Sequence, residues 1–131
     1  MPLQAEGTQA EVMLVEDDAS MREAIVRILR GAGLRVRAFA SAETLFTHLH
    51  GGPLPDTVRC CICDVHLPGA CGFELQRHLA TLGATPRWIF ITAHDEPALR
   101  EQADRARAGY LPKPFQGRAL LALVSHAIAA A

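Results

Sequence analysis

No apolar run in the 131-residue chain approaches the ~20 residues that a membrane-spanning helix needs, and the opening stretch MPLQAEGTQAE lacks the basic-then-apolar order of a secretory signal. These absences point to a cytoplasmic protein, in which the four cysteines are expected as free thiols. A bias of charge is missing as well: 13 Lys and Arg against 14 Asp and Glu leave a formal net charge of −1. Such a balance gives no general attraction to nucleic acid or to anionic lipid, so neither is expected as a direct partner. The arginines from Arg22 to Arg37 are dense, but apolar residues interleave them at helix and strand spacing, as on a solvated face. Internal repeats and linkers are absent too. A domain of this size buries roughly two thirds of its unfolded surface, so its core requires neither metal nor disulfide. We expect a flexible polar leader over residues 1–10 and one domain over residues 11–131.

What is present is a regular alternation of strands and helices. VMLV (12–15) reads as a strand that ends in Glu16-Asp17-Asp18, and Ser20 with Glu23 reads as a capping box for a helix that Gly31-Ala32-Gly33 stops. RVRAF (35–39) alternates as a second strand; Ser41 opens a helix carrying Leu45, Phe46 and Leu49, and GGPLP (51–55) breaks it. VRCCIC (58–63) is the third strand, followed by a helix marked by Phe73, Leu75, Leu79 and Leu82 and ended by Gly83. RWIFIT (87–92) is the fourth, and Pro97 opens the next helix through Leu99 and Ala103. A short strand over 108–111 and a last helix from about Gln116 complete the series. Five βα units in a row predict an α/β fold: a doubly wound, flavodoxin-like three-layer sandwich around a five-stranded parallel sheet.

In such a sheet all the C-terminal strand ends lie on one edge, and ligands bind there, where the strand order reverses. The common five-stranded order 2-1-3-4-5 places that reversal between strands one and three. Strand one delivers Glu16-Asp17-Asp18 to the edge, strand three Asp64, strand four Thr92, and strand five leads to Lys113. Carboxylates about 4 Å apart repel by roughly 4 kcal/mol at an effective dielectric near 20. The cluster therefore needs either raised pKa values or a cation. Oxygen ligands with open positions suit Mg²⁺, with Mn²⁺ as the alternative. The chemistry this suggests is phosphoryl transfer involving Asp64. Mg²⁺ would sit on Asp17 and Asp64, Lys113 would pair with the phosphoryl oxygens, and the Thr92 hydroxyl would hydrogen-bond another.

The stretch CCICDVHLPGACGFEL (60–75) permits a competing reading, in which the cysteines and His66 bind a metal or do redox chemistry. Against it, Cys61 and Cys63 would share one face of the strand and Cys60 the other, and no second ligand pair stands elsewhere as zinc sites require. Core packing is the expected role of Cys60, Cys61 and Cys63, with Cys71 the most exposed thiol.

The set VEDD (15–18), CDVHLPGACGFEL (63–75), FITA (90–93) and YLPKPF (110–115), in this order, resembles the receiver domain of two-component response regulators, including single-domain chemotaxis-type regulators. The resemblance implies phosphorelay signalling. Asp64 would accept a phosphoryl group from a sensor histidine kinase or phosphotransfer protein. Glu16 and Asp17 would form the acid pair around Mg²⁺, with the His66 backbone carbonyl as a further ligand and Asp18 as the turn residue. Thr92 and Lys113 match the switch hydroxyl and the family's lysine, Tyr110 matches the aromatic that turns inward on activation, and the Lys113–Pro114 bond would be cis. His66 and His94 occupy positions that flank the phosphoryl group and tune its lifetime. The protein would be a regulatory phosphoacceptor, not an enzyme, except toward its own phosphorylation and dephosphorylation.

Phosphorylation would switch the face formed by helix four, strand five and helix five for an effector protein or a fused output domain of unknown kind. One departure falls on that face. Where receivers commonly end helix four with a Gly-Ala pair, this chain reads ADRARAGY (103–110), and the interval from Thr92 to Lys113 looks one residue short. From Ala119 to Ala131 no residue is formally charged, and Leu120, Leu121, Leu123, Val124, Ala127 and Ile128 span an apolar arc wider than one core-facing stripe, which fits either a crowded core side or a partner face, for a homodimer through the last helix or for kinase or effector docking. The alternative to phosphorelay is a non-phosphorylated receiver-like interaction module. An aspartyl-phosphate phosphatase would need an Asp where His66 stands, and a flavin protein a Ser/Thr/Gly-rich loop where Glu16-Asp17-Asp18 stands.

Overall fold

The computed structural model describes residues 10–83 and 85–130; nine of the ten leader positions fall outside it. Among the described residues, seven strands and five helices follow in the order β1 (Glu11–Val15), α1 (Ala19–Gly31), β2 (Arg35–Phe39), α2 (Ala42–His48), β3 (Val58–Asp64), β4 (His66–Leu67), β5 (Ala70–Cys71), α3 (Gly72–Leu82), β6 (Arg87–Thr92), α4 (Pro97–Arg105), β7 (Gly109–Pro112) and α5 (Gly117–Ala130). The main sheet is parallel with order β2-β1-β3-β6-β7, which is the anticipated 2-1-3-4-5 once the two-residue strands are set aside. β4 and β5 form a small antiparallel ribbon closed by Pro68-Gly69, a feature that strand-length patterns could not signal.

Burial explains the strand compositions. β1, β3 and β6 lie inside the sheet, covered on both faces, and are almost wholly buried apart from Arg59 and Arg87; the edge strand β2 exposes Arg35 and Arg37. Alternate residues then feed two cores. Met13, Val15, Cys61, Cys63, Trp88 and Phe90 pack with α2, α3 and α4, whereas Val12, Leu14, Cys60, Ile62, Ile89 and Ile91 pack with α1 and α5. Cys60 thus faces away from Cys61 and Cys63, as the period of two requires. The lone buried carboxylate at the far end of β1, Glu11, is held by Arg37 Nε at 3.1 Å and the Thr57 hydroxyl at 3.4 Å.

One helix end corrects an expectation. Helix α1 is capped by Asp18, whose carboxylate accepts from Met21 N–H at 3.0 Å, and not by a Ser20–Glu23 box. The reason is register: Ala19 is already helical, so Ser20 lies inside the first turn, where its hydroxyl cannot act as a cap. In α2 the box does form, between Ser41 and Thr44. The last helix uses its wide arc inward: Leu120, Val124 and Ala127 are buried, and Leu121, Leu123 and Ile128 pack half-buried against the same core. Its exposed side carries Arg118, Ala122, His126 and Ala129.

The altered end of α4 is a compact stop. Arg107 N–H donates to Asp104 O and Ala108 N–H to Ala103 O, at 3.0 and 2.9 Å, which closes a Schellman turn with Arg107 in the left-handed region at φ 56°. Gly33 plays the same part after α1. An arginine therefore stands where the turn prefers glycine, and β7 still delivers Lys113 to the edge: its N–H donates to Thr92 O at 2.7 Å.

Candidate functional site

Pairing of β1 with β3 sets Val15 opposite Cys63, so the residues that follow each strand meet beyond the sheet. One carboxylate oxygen each from Glu16, Asp17 and Asp64 lies within 4.8 Å of the other two. Glu16 and Asp64 are buried and Asp17 is exposed at the mouth. Lys113 reaches in from β7: its Nζ donates to Asp64 Oδ2 at 2.7 Å and to Glu16 Oε1 at 2.6 Å. Burial pushes the Glu16 carboxyl above the usual carboxylate range, against the lowering bonds from Lys113 and from Asp18 N–H at 3.1 Å. Burial pulls the Lys113 ammonium down, but its bonds to Asp64 and Glu16 outweigh that and leave it above an ordinary lysine. Three carboxylates facing one ammonium keep an excess of negative charge, and hard oxygen donors of this kind fit a Mg²⁺-type cation.

Two residues that hold this pocket escaped the sequence reading. Arg22, read as part of a solvated arginine face, donates from Nη1 to the backbone carbonyls of Glu16 (2.9 Å) and Asp17 (3.4 Å), which fastens the loop carrying both carboxylates. Gly72 opens α3 directly beneath Asp64: a Cβ there would lie 2.6 Å from Asp64 O and 3.2 Å from Cys63 Sγ, while Gly72 N–H donates to Val65 O at 2.8 Å. Glycine allows that approach. The pattern CGFEL gave a signal only for a helix start, since the close contact depends on where α3 returns to β3.

The remaining predicted residues sit on the neighbouring loops and on β7. His66 N–H donates to Asp64 Oδ1 at 2.9 Å, and His94 N–H to Thr92 Oγ1 at 2.9 Å. Their exposed imidazoles meet edge to face with centroids 5.5 Å apart. Thr92 is buried, and its hydroxyl is engaged within its own loop. Tyr110 stands apart from Thr92: its hydroxyl donates to Asp95 Oδ1 at 3.1 Å and accepts from Glu96 N–H at 3.4 Å. The Lys113–Pro114 bond is cis. The cysteines are free thiols; burial pushes Cys60 up to about 12 and raises Cys61 and Cys63 further from reactivity, which accords with packing. The metal-ligand cluster found among the described residues contains no cysteine.

Comparison with known proteins agrees with this geometry. The family model for the response regulator receiver domain matches residues 12–125. Nodulation protein W of Bradyrhizobium diazoefficiens is 38% identical over 115 residues, covering 87% of this chain and 49% of that protein. The transcriptional regulatory protein FixJ of Azorhizobium caulinodans is 34% identical over 114 residues, covering 86% of this chain and 52% of that one. The chain thus spans about half the length of these curated relatives. Among solved structures, a response regulator receiver protein from Burkholderia phymatum superposes with a TM-score of 0.79 at 38% identity, covering 92% of this chain and 96% of that chain.

Proposed function

The chain belongs to the response regulator receiver domain family of two-component signalling, and within it we propose that Asp64 is the phosphoacceptor. The observation that carries this is the Lys113 ammonium bridging Asp64 and Glu16 while Asp17 completes a carboxylate cluster at the strand ends. Glu16, Asp17, Asp64 and the His66 backbone carbonyl would hold Mg²⁺ or Mn²⁺. When bound, that cation offsets the negative charge of carboxylates and phosphoryl oxygens brought together.

The acceptor step is nucleophilic displacement. A carboxylate oxygen of Asp64 forms the new P–O bond, the P–N bond to a phosphohistidine breaks, and its electron pair stays with the departing imidazole. Lys113, already 2.7 Å from Asp64 Oδ2, is placed to pair with the oxygens of the product. Thr92 would turn its hydroxyl from His94 N–H toward the phosphoryl group and so draw on the loop behind it. Tyr110 follows as the switch, altering the α4–β7–α5 face. On this reading the domain is a regulatory phosphoacceptor that assists only its own phosphorylation and hydrolysis. Its donor is a sensor histidine kinase or phosphotransfer protein, it acts in the cytoplasm, and its output passes through an effector or a fused domain. A homodimer through α5 would use the exposed Arg118, Ala122, His126 and Ala129 together with the half-buried Leu121, Leu123 and Ile128, which sedimentation with and without a phosphoryl mimic tests.

Incubation with a small phosphodonor and Mg²⁺, followed by intact mass, decides the acceptor. Wild type gains the mass of one HPO₃ and Asp64→Asn does not; a chain that binds Mg²⁺ yet takes up nothing is an interaction module instead. His66→Asn and His94→Asn are expected to change the half-life of the adduct, and unchanged decay in both would remove the histidines from that role.

A further inference from the structure

Tyr110 is enclosed in a closed ring of three contacts. Its hydroxyl donates to Asp95 Oδ1 at 3.1 Å. Asp95 in turn accepts a two-pronged bond from Arg100, Nε to Oδ1 at 3.1 Å and Nη2 to Oδ2 at 3.0 Å. The Arg100 guanidinium then lies over the Tyr110 ring, with Cζ 4.8 Å from its centroid, which closes the circuit. A fourth contact, Glu96 N–H to the Tyr110 hydroxyl at 3.4 Å, comes from the residue that caps α4. Each bond has its own geometric demand: a planar fork for the carboxylate, a flat cation for the ring face, and an acceptor for the hydroxyl. Lysine in place of Arg100 could supply the charge but neither the fork nor the flat stacking surface.

The ring also bridges two separate elements. Tyr110 stands on β7, opposite Phe90 in β6, whereas Asp95, Glu96 and Arg100 stand on the β6–α4 loop and the first turns of α4. Thr92, three residues before Asp95, has its hydroxyl held by His94 N–H. Drawing the Thr92 hydroxyl toward Asp64 therefore pulls on the same loop segment that grips Tyr110. From this geometry we propose that Asp95 and Arg100 are positioning residues that hold the Tyr110 switch in its resting orientation, so that the clamp must open before the phosphorylated state is populated.

The proposal rests on Tyr110 being the switch of the phosphoacceptor reading above. Its physical content is a population: two orientations of one side chain, with contacts present in only one of them. Exposed ion pairs and a cation–π contact are modest individually, and they act here on the same side chain. Their removal should raise the ratio of released to resting Tyr110 about 3- to 10-fold. The contacts with Arg100 and then with Tyr110 hold Asp95 below the usual carboxylate range, as a shared carboxylate should be.

Tyr110 is the only tyrosine in the chain, so 3-fluorotyrosine incorporation gives a single ¹⁹F resonance that reports this side chain alone. The test compares wild type, Arg100→Ala, Arg100→Lys and Asp95→Asn, each without phosphodonor and then with phosphodonor and Mg²⁺, with intact mass run in parallel. The expected result is that wild type shifts on phosphorylation. Unphosphorylated Arg100→Ala and Asp95→Asn should already be displaced toward that position, and Arg100→Lys should resemble Arg100→Ala. A full HPO₃ adduct with an unmoved wild-type resonance would overturn the proposal, because Tyr110 would then not be the switch. So would unphosphorylated variants that keep the resting resonance, or an Arg100→Lys that behaves as wild type. Failure of the phosphoacceptor reading is seen separately, as no adduct by mass. Circular dichroism of each variant guards against reading unfolding as release, and Asp95→Asn repeats the test without touching α4.

Discussion

The acidic pocket and the Tyr110 flank share one sheet edge but are assembled differently. In the pocket, Lys113 already bonds the two buried carboxylates, Arg22 fastens the loop beneath them, and Gly72 brings α3 against the Asp64 backbone. On the flank, the Thr92 hydroxyl is satisfied by its own loop and the Tyr110 hydroxyl by exposed Asp95. On the proposed reading the pocket would be built before any phosphoryl group arrives, whereas the flank would be held in a resting arrangement by contacts that can be exchanged. Chemistry needs the preorganised part and signalling needs the exchangeable one.

This contrast can be broken from either side. The largest effect concerns β3, the strand that carries Asp64. With Cys60 pushed up to about 12, roughly one part in 10⁴ of it is thiolate at pH 8. Native chain treated with a thiol-reactive probe at that pH should label at Cys71, with Cys60, Cys61 and Cys63 reacting only in denaturant. Fast labelling of all four in the folded state would mean that β3 opens readily and the pocket is not preorganised. Next, Gly72→Ala places a methyl where only 2.6 Å separates it from Asp64 O. It should lower unfolding free energy by about 2–3 kcal/mol in urea titration; no loss would show that α3 can withdraw without cost.

Lys113 offers a test through pH. Its ammonium is raised in the folded state, so its stabilisation is complete below the ordinary lysine value near 10.5 and is lost as pH rises through the folded one. In alkaline urea titrations the wild type should lose this component, and Lys113→Met should lack that part of the slope; parallel profiles would mean the two ion pairs add nothing. Glu16 has the same sign in a lower window: its raised carboxyl makes the charged form costly above its folded value, a cost relieved as pH falls toward 4.5. The smallest change is Arg107→Gly, at the opposite edge of the sheet where α4 turns into β7. Relief of a left-handed arginine should raise stability by about 0.5–1 kcal/mol with the phosphoryl adduct still forming. A decrease would show that the Arg107 side chain contributes more than its backbone costs.

Much of this molecule could be read in advance. Strands β2 and β6 have the residues expected of them, and the carboxylates, Thr92 and Lys113 come to one edge because parallel strands must end together. What escaped the reading involves partners chosen in space. Arg22 looked solvated because its acceptors are backbone carbonyls, which carry no sequence signature. Tyr110 could be matched to a switch, yet nothing local to it names Asp95 and Arg100 as its holders.

The sequence by itself determined the period of the strands, the alternation with helices and the polar residue at each strand end, since these follow from side-chain spacing and backbone geometry over a few residues. Only tertiary structure decided that Lys113 bonds Glu16 across 97 positions, and that Leu120 is buried while Leu121 and Leu123 pack half-buried against the same core. Those outcomes depend on which groups come within hydrogen-bonding or packing distance once the layers close. Contacts of that range weaken so steeply with separation that no local pattern records them.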